Sequence, residues 1–132
     1  MSLNRFPLRA SIAVSDIVRA AEFYEGKLGL QALWSGPSAT VVDGGRVYGS
    51  AGRPALNVYQ SATAGRSPAT LVTWYVDDLD QVVDELAAAG VEIVRYDGLQ
   101  HDARGITPRA GGGRIAWLRD PDGNILALES DF

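Results

Sequence analysis

A short pattern occurs twice in this chain. Val14-x-Asp16 returns 62 residues later as Val76-x-Asp78, and Gly29-Leu30 returns 61 residues later as Gly90-Val91. In a chain of 132 residues, two copies at that spacing use nearly the whole length. The chain is therefore read as one domain made of two half-size modules, about 8–60 and about 69–130, with no room for separate catalytic and substrate domains.

Each copy carries the same run of elements. Leu8 to Val14 alternates, with Ala10, Ile12 and Val14 on one side and Arg9, Ser11 and Ala13 on the other, as a half-buried strand does. Asp16 is placed to accept the orphan N–H groups of a following helix, expected over Ile17 to Leu28 and stopped by Gly29. Strands are expected at Leu30 to Trp34, Ala39 to Val42 and Pro54 to Tyr59. A hairpin turn at Gly44-Gly45 leads into Arg46 to Gly49. Ser61 to Pro68 is small and polar and reads as a linker. The second copy runs through a strand at Ala69 to Val76 and a helix at Leu79 to Ala89. Asp78 caps that helix, and Gln81 sits where a capping box would close. Strands at Val91 to Tyr96, Arg114 to Arg119 and Ile125 to Glu129 follow, the last two joined by a tight turn at Asp120 to Asn124. One helix per several strands, twice over, predicts an α+β fold of two βαβββ modules, with a ferredoxin-like two-helix sandwich as the alternative.

Composition removes whole classes of chemistry. There is no cysteine, which excludes disulfides, thiolate nucleophiles and iron–sulfur clusters, and His101 is the single histidine. The formal charge is -4, so nucleic acid is a poor partner. No apolar run reaches the ~20 residues of a membrane helix, and no signal segment opens the chain, so the cytoplasm is the expected address. No G-x-S-x-G elbow is present. The glycine run at 111–113 precedes a strand and lacks the following Lys-Ser/Thr of a phosphate loop.

Three motifs carry a resemblance: A-x-F-Y-x-x-x-L-G-L at Ala21 to Leu30, Y-V-D-D-L at Tyr75 to Leu79, and D-P-D-G-N-I-L-A-L at Asp120 to Leu128. In this order and spacing the chain resembles the glyoxalase/bleomycin-resistance/extradiol-dioxygenase superfamily, also called the vicinal oxygen chelate fold. The resemblance implies two βαβββ modules forming a curved mixed sheet around a cleft, often in a homodimer. It also implies a divalent metal in many members and metal-free drug binding in others. Position by position, the metal ligands implied by the resemblance fall here on Arg9, Leu71 and Ala127, with a fourth near Asn57. Arginine has no lone pair to give and hydrocarbons offer none, so no metal and no cofactor is expected. A displaced site from His101, Asp102 and Glu129 is the alternative.

If the cleft face follows the family pattern, the ligand-facing candidates are Arg9, Trp34, Asn57, Tyr59, Thr73, Tyr75, Trp117 and Glu129. Arg9 offers a planar fork of donors, or else is solvated or paired with Glu129. Trp34, Trp117 and Tyr59 offer flat apolar walls, or else pack as core. His101, in the irregular stretch 97–113, is a candidate base or a solvated side chain, and that stretch a candidate gate. Glu129 is a candidate base or an anchor for a cationic ligand. The functional expectation is metal-free binding of a small organic molecule, aromatic or antibiotic-like, in a resistance or sequestration role. One alternative is a lyase, isomerase or dioxygenase of the same superfamily. The other is a structural or regulatory protein with a vestigial cleft.

Overall fold

The structure, a computed structural model, describes residues 2–35 and 45–130, with the side chains of Trp34 and Ser35 excepted. It divides into two compact units, Met1–Ala64 and Gly65–Phe132, with the boundary inside the expected linker.

In the first unit, β1 (Ala10–Val14), α1 (Ile17–Ala21), β2 (Gln31–Ser35), β3 (Arg46–Ser50) and β4 (Arg53–Gln60) form a four-stranded sheet in the order β1-β4-β3-β2. β1 pairs parallel with β4, and the other neighbours are antiparallel. The second unit contains β5 (Thr70–Tyr75), α2 (Leu79–Ala88), β6 (Glu92–Val94), the two-residue β7 (Thr107–Pro108), β8 (Arg114–Arg119) and β9 (Ile125–Ser130). Its sheet runs β5-β9-β8-β6, with β7 paired to β8. β5 is parallel to β9 and the rest are antiparallel. The written repeat is thus a repeat of topology: in each unit a crossover helix joins the first strand to three antiparallel ones, and the last of these returns beside the first. The α+β class and the duplicated βαβββ plan are both present.

Each helix buries its stripe on one face of its own sheet. Ile12, Val14, Tyr48 and Val58 are fully buried with Ala20, Phe23 and Tyr24, and Tyr24 stacks on Tyr48 at 6.0 Å. In the second unit Leu79, Val83 and Leu86 of α2 are buried with Ala116, Leu118, Leu126 and Leu128. Asp16 accepts from the Val18 and Arg19 N–H groups, and Asp78 accepts from that of Gln81, so both aspartates cap as expected. Gly29 and Gly90 adopt positive φ at the helix stops.

Two local expectations are corrected. The first helix does not stay α to Leu28: from Glu22 to Lys27 it is a π-turn, closed by the Leu28 N–H donating to the Phe23 carbonyl. Phe23 and Tyr24 are both buried within this turn. Nor does Gln81 close a capping box; its amide donates to Glu85 one turn on. The strand expected at Ala39 to Val42 lies outside the described residues, as does Gly44 of the hairpin turn. No helix among the described residues is long and apolar enough to cross a membrane.

Candidate functional site

The helix-free face of the first sheet is set by parallel register. Ser11 pairs with Asn57 and Ala13 with Tyr59, so these four share one face, opposite the core face of Ile12 and Val58. Arg9, one residue before β1, donates from Nη1 to Asn57 Oδ1 at 3.2 Å. Asn57 in turn donates from Nδ2 to Ser11 Oγ at 3.1 Å. The chain Arg9–Asn57–Ser11 fixes the amide orientation and holds the guanidinium at the edge of this face. Val47, in register with Asn57, is buried at its floor. Trp34 pairs with Val47 through the backbone, and its side chain lies outside the description.

The corresponding face of the second sheet has Thr73, Ala127 and Trp117 in one row, and Tyr75, Glu129 and Ile115 in the next. Tyr75 is 60% exposed, whereas Glu129 is only 7% exposed. A buried carboxylate needs a partner, and Glu129 has it in Arg109, which forms an ion pair with it. Arg109 is positioned by a tight turn in which its own N–H donates to the Gly113 carbonyl at 2.7 Å. Trp117 meets Tyr96 edge-on at 5.1 Å and has His101 6.4 Å away, giving a half-buried aromatic group on the face.

His101 is not the solvated loop side chain that was one expectation. Its Nε2 accepts the Tyr96 N–H at 3.0 Å, and Nδ1 lies 2.7 Å from the Gly105 carbonyl. Because a carbonyl only accepts, Nδ1 carries the proton and Nε2 is bare. Thr107 Oγ1 adds a contact to Nδ1 at 3.0 Å. Both ring nitrogens are occupied in tying the 97–113 segment together. Asp102 joins in, accepting from the Arg104 and Ile106 N–H groups, each at 2.9 Å.

The residues at the implied metal positions do not fit a metal. Arg9 presents a cation bonded to Asn57, Leu71 is a hydrocarbon on an irregular part of β5, and Ala127 is buried without a donor. Among the described residues no three His, Asp or Glu side chains group as a ligand set, and the displaced trio His101, Asp102 and Glu129 does not form one.

Sequence reasoning missed Tyr96, Arg109 and Thr107. Alternation placed Ser11 on the Arg9 side, and only register shows its bond with Asn57. Arg109 had a faint signal, an arginine between Pro108 and the glycine run of a turn that feeds β8.

A family model described as the Glyoxalase/Bleomycin resistance protein/Dioxygenase superfamily matches residues 7–128. A search of curated proteins gave no significant match. Among solved structures, a superfamily member from Sphaerobacter thermophilus superposes with a TM-score of 0.76 at 18% identity, covering 98% of this chain and 100% of its own. A glyoxalase/bleomycin resistance protein from Catenulispora acidiphila gives 0.65 at 25% identity, covering 93% and 96%. A genomically encoded fosfomycin resistance protein from Listeria monocytogenes gives 0.70 at 15% identity, covering 96% and 93%.

Proposed function

The chain belongs to the glyoxalase/bleomycin resistance protein/dioxygenase superfamily, and from that premise we propose that it binds a small organic molecule, aromatic or antibiotic-like, without a metal ion. One observation carries the reading: where the superfamily pattern calls for metal ligands, this chain has Arg9 bonded to Asn57, together with Leu71 and Ala127. With no donor set to polarise a substrate, affinity has to come from apolar burial and a few oriented polar groups. On the first sheet Tyr59 supplies flat surface while Arg9 and Asn57 offer oriented polar groups, and on the second sheet Trp117 and Tyr75 supply flat surface.

The biological role in this reading is sequestration or resistance, and the solved protein from Listeria monocytogenes is named for fosfomycin resistance. We place it in the cytoplasm and in a homodimer, the latter because superfamily members often pair. Catalysis is a weaker reading because its two candidate bases are engaged: His101 at both ring nitrogens and Glu129 by Arg109.

Two measurements test the proposal together. Metal analysis of protein purified without chelator is expected to find substoichiometric divalent metal, and calorimetry across an aromatic and antibiotic panel is expected to find at least one saturable binder. One tightly held ion per chain, or no binder in the panel, would overturn it.

A further inference from the structure

The second unit holds a pocket lined by none of the ligand-contact candidates on the two sheet faces. It measures about 370 Å³ and is open to solvent, and its lining includes Arg66, Pro68, Tyr96, Arg119 and Ile125. That volume suits a single-ring molecule. One wall is the linker. Gly65 donates its N–H to Asn124 Oδ1 at 3.2 Å, and a Cβ at residue 65 would lie 1.9 Å from the Asp122 carbonyl oxygen. The linker is therefore seated on the Asp120–Asn124 turn with no space between them, and the wall is preformed. The opposite wall is the end of the sheet where Arg119 and Ile125 pair in register.

The chemistry of the lining is one-sided. It contains two guanidinium groups and a phenol but no carboxylate, in a protein whose net charge is -4. Arg119 shares its charge with Glu92, which is largely exposed and is not among the lining residues. Arg66 forms no ion pair among the described residues and is exposed. A concave, cationic, partly apolar surface favours an anion with a flat body: the guanidinium forks suit a carboxylate, while Tyr96, Pro68 and Ile125 suit a ring. We propose that this pocket is a separate binding site for a small aromatic carboxylate. The site does not depend on the metal-free binding reading above.

The test uses benzoate and its neutral isostere benzamide against the whole chain, followed by backbone amide NMR. Benzoate is expected to give saturable shifts at residues 65–67, 96, 119 and 123–125, with benzamide weaker by about tenfold. Arg66→Gln and Arg119→Gln are each expected to weaken benzoate by about threefold to fivefold with Tm unchanged, since both side chains are exposed. Equal binding of benzamide, insensitivity to Arg66→Gln, or the absence of saturation would overturn the proposal. So would saturable shifts confined to Trp117, Glu129, Asn57 or Tyr59, which would sink this pocket and leave the proposed function standing.

Discussion

Asp120 is 4% exposed, and the turn it opens supplies its hydrogen-bond partners. Its Oδ1 accepts the N–H groups of Asp122 and Asn124 at 2.9 and 2.8 Å, and its Oδ2 accepts Asn124 Nδ2 at 2.8 Å. Removing the carboxylate strands buried donors, so Asp120→Ala is expected to cost about 2–4 kcal/mol in urea unfolding, more than Asp120→Asn. His101 makes a comparable set of bonds through both ring nitrogens. Its ring is expected to show the Nδ1-protonated tautomer in nitrogen NMR; an Nε2-protonated ring would contradict the bonding described here. Tyr48 belongs to the core in the same sense. Burial, together with its hydrogen bond to Glu25 at 2.9 Å, pushes its hydroxyl well above the ordinary tyrosine range. It is accordingly a structural donor and not a titrating group near neutrality.

At the scale of elements, α2 is tied to its surroundings on its exposed side. Arg114 of β8 bonds Asp80 at 2.8 Å, and Arg104 bonds Asp84 through two contacts at 2.8 and 3.1 Å. The Arg114 hydrogen bond holds the Asp80 carboxyl below its ordinary value of 3.8. A carboxyl lowered in the folded state contributes stability above that value and loses it as pH falls through the folded one. Asp80→Asn is therefore expected to lower Tm by a small, constant amount above about pH 5, with the two curves converging on further acidification. Parallel curves down to pH 2 would show that the pair carries no linkage. The linker is a second element-scale device. Gly65→Ala places a Cβ against the Asp122 carbonyl at a positive φ and is expected to cost about 3 kcal/mol or more. Gly98→Ala, at a similar φ with nothing within 4 Å, is expected to cost about 1 kcal/mol. Equal costs would mean that the linker is not seated as described.

For the whole molecule, the donor chemistry predicts indifference to metal. Thermal melts with chelator, or with added Mn, Ni or Zn ions, are expected to superpose on that of the untreated protein. A true ligand at a hundred times its Kd adds about 2.7 kcal/mol of stability. A large upward shift of Tm with one metal would point to a coordination site that the described residues do not contain.

The duplication, the two aspartate caps, the helix stops and the Asp120–Asn124 turn are all legible in the amino-acid order. Each of these is written within a few residues, where backbone hydrogen bonds and φ preferences act directly. The same short range explains why the faces of β1, β4, β5 and β9 were legible: alternation alone sorts Asn57 and Tyr59 from Val58. Which side chains meet depends on how distant segments pack. The bond from Asn57 to Ser11 follows from the parallel register of β1 on β4, 46 residues apart in the chain. Glu129 finds Arg109 because a glycine turn folds one strand back beside another, and His101 is locked by the course of its own loop. The π-turn at Glu22 to Lys27 buries Phe23 and Tyr24, which pack edge to face at 5.0 Å, and Tyr24 stacks on Tyr48 of β3, a contact set by the sheet. Contacts of this kind depend on register and packing between distant segments, which local propensity does not encode.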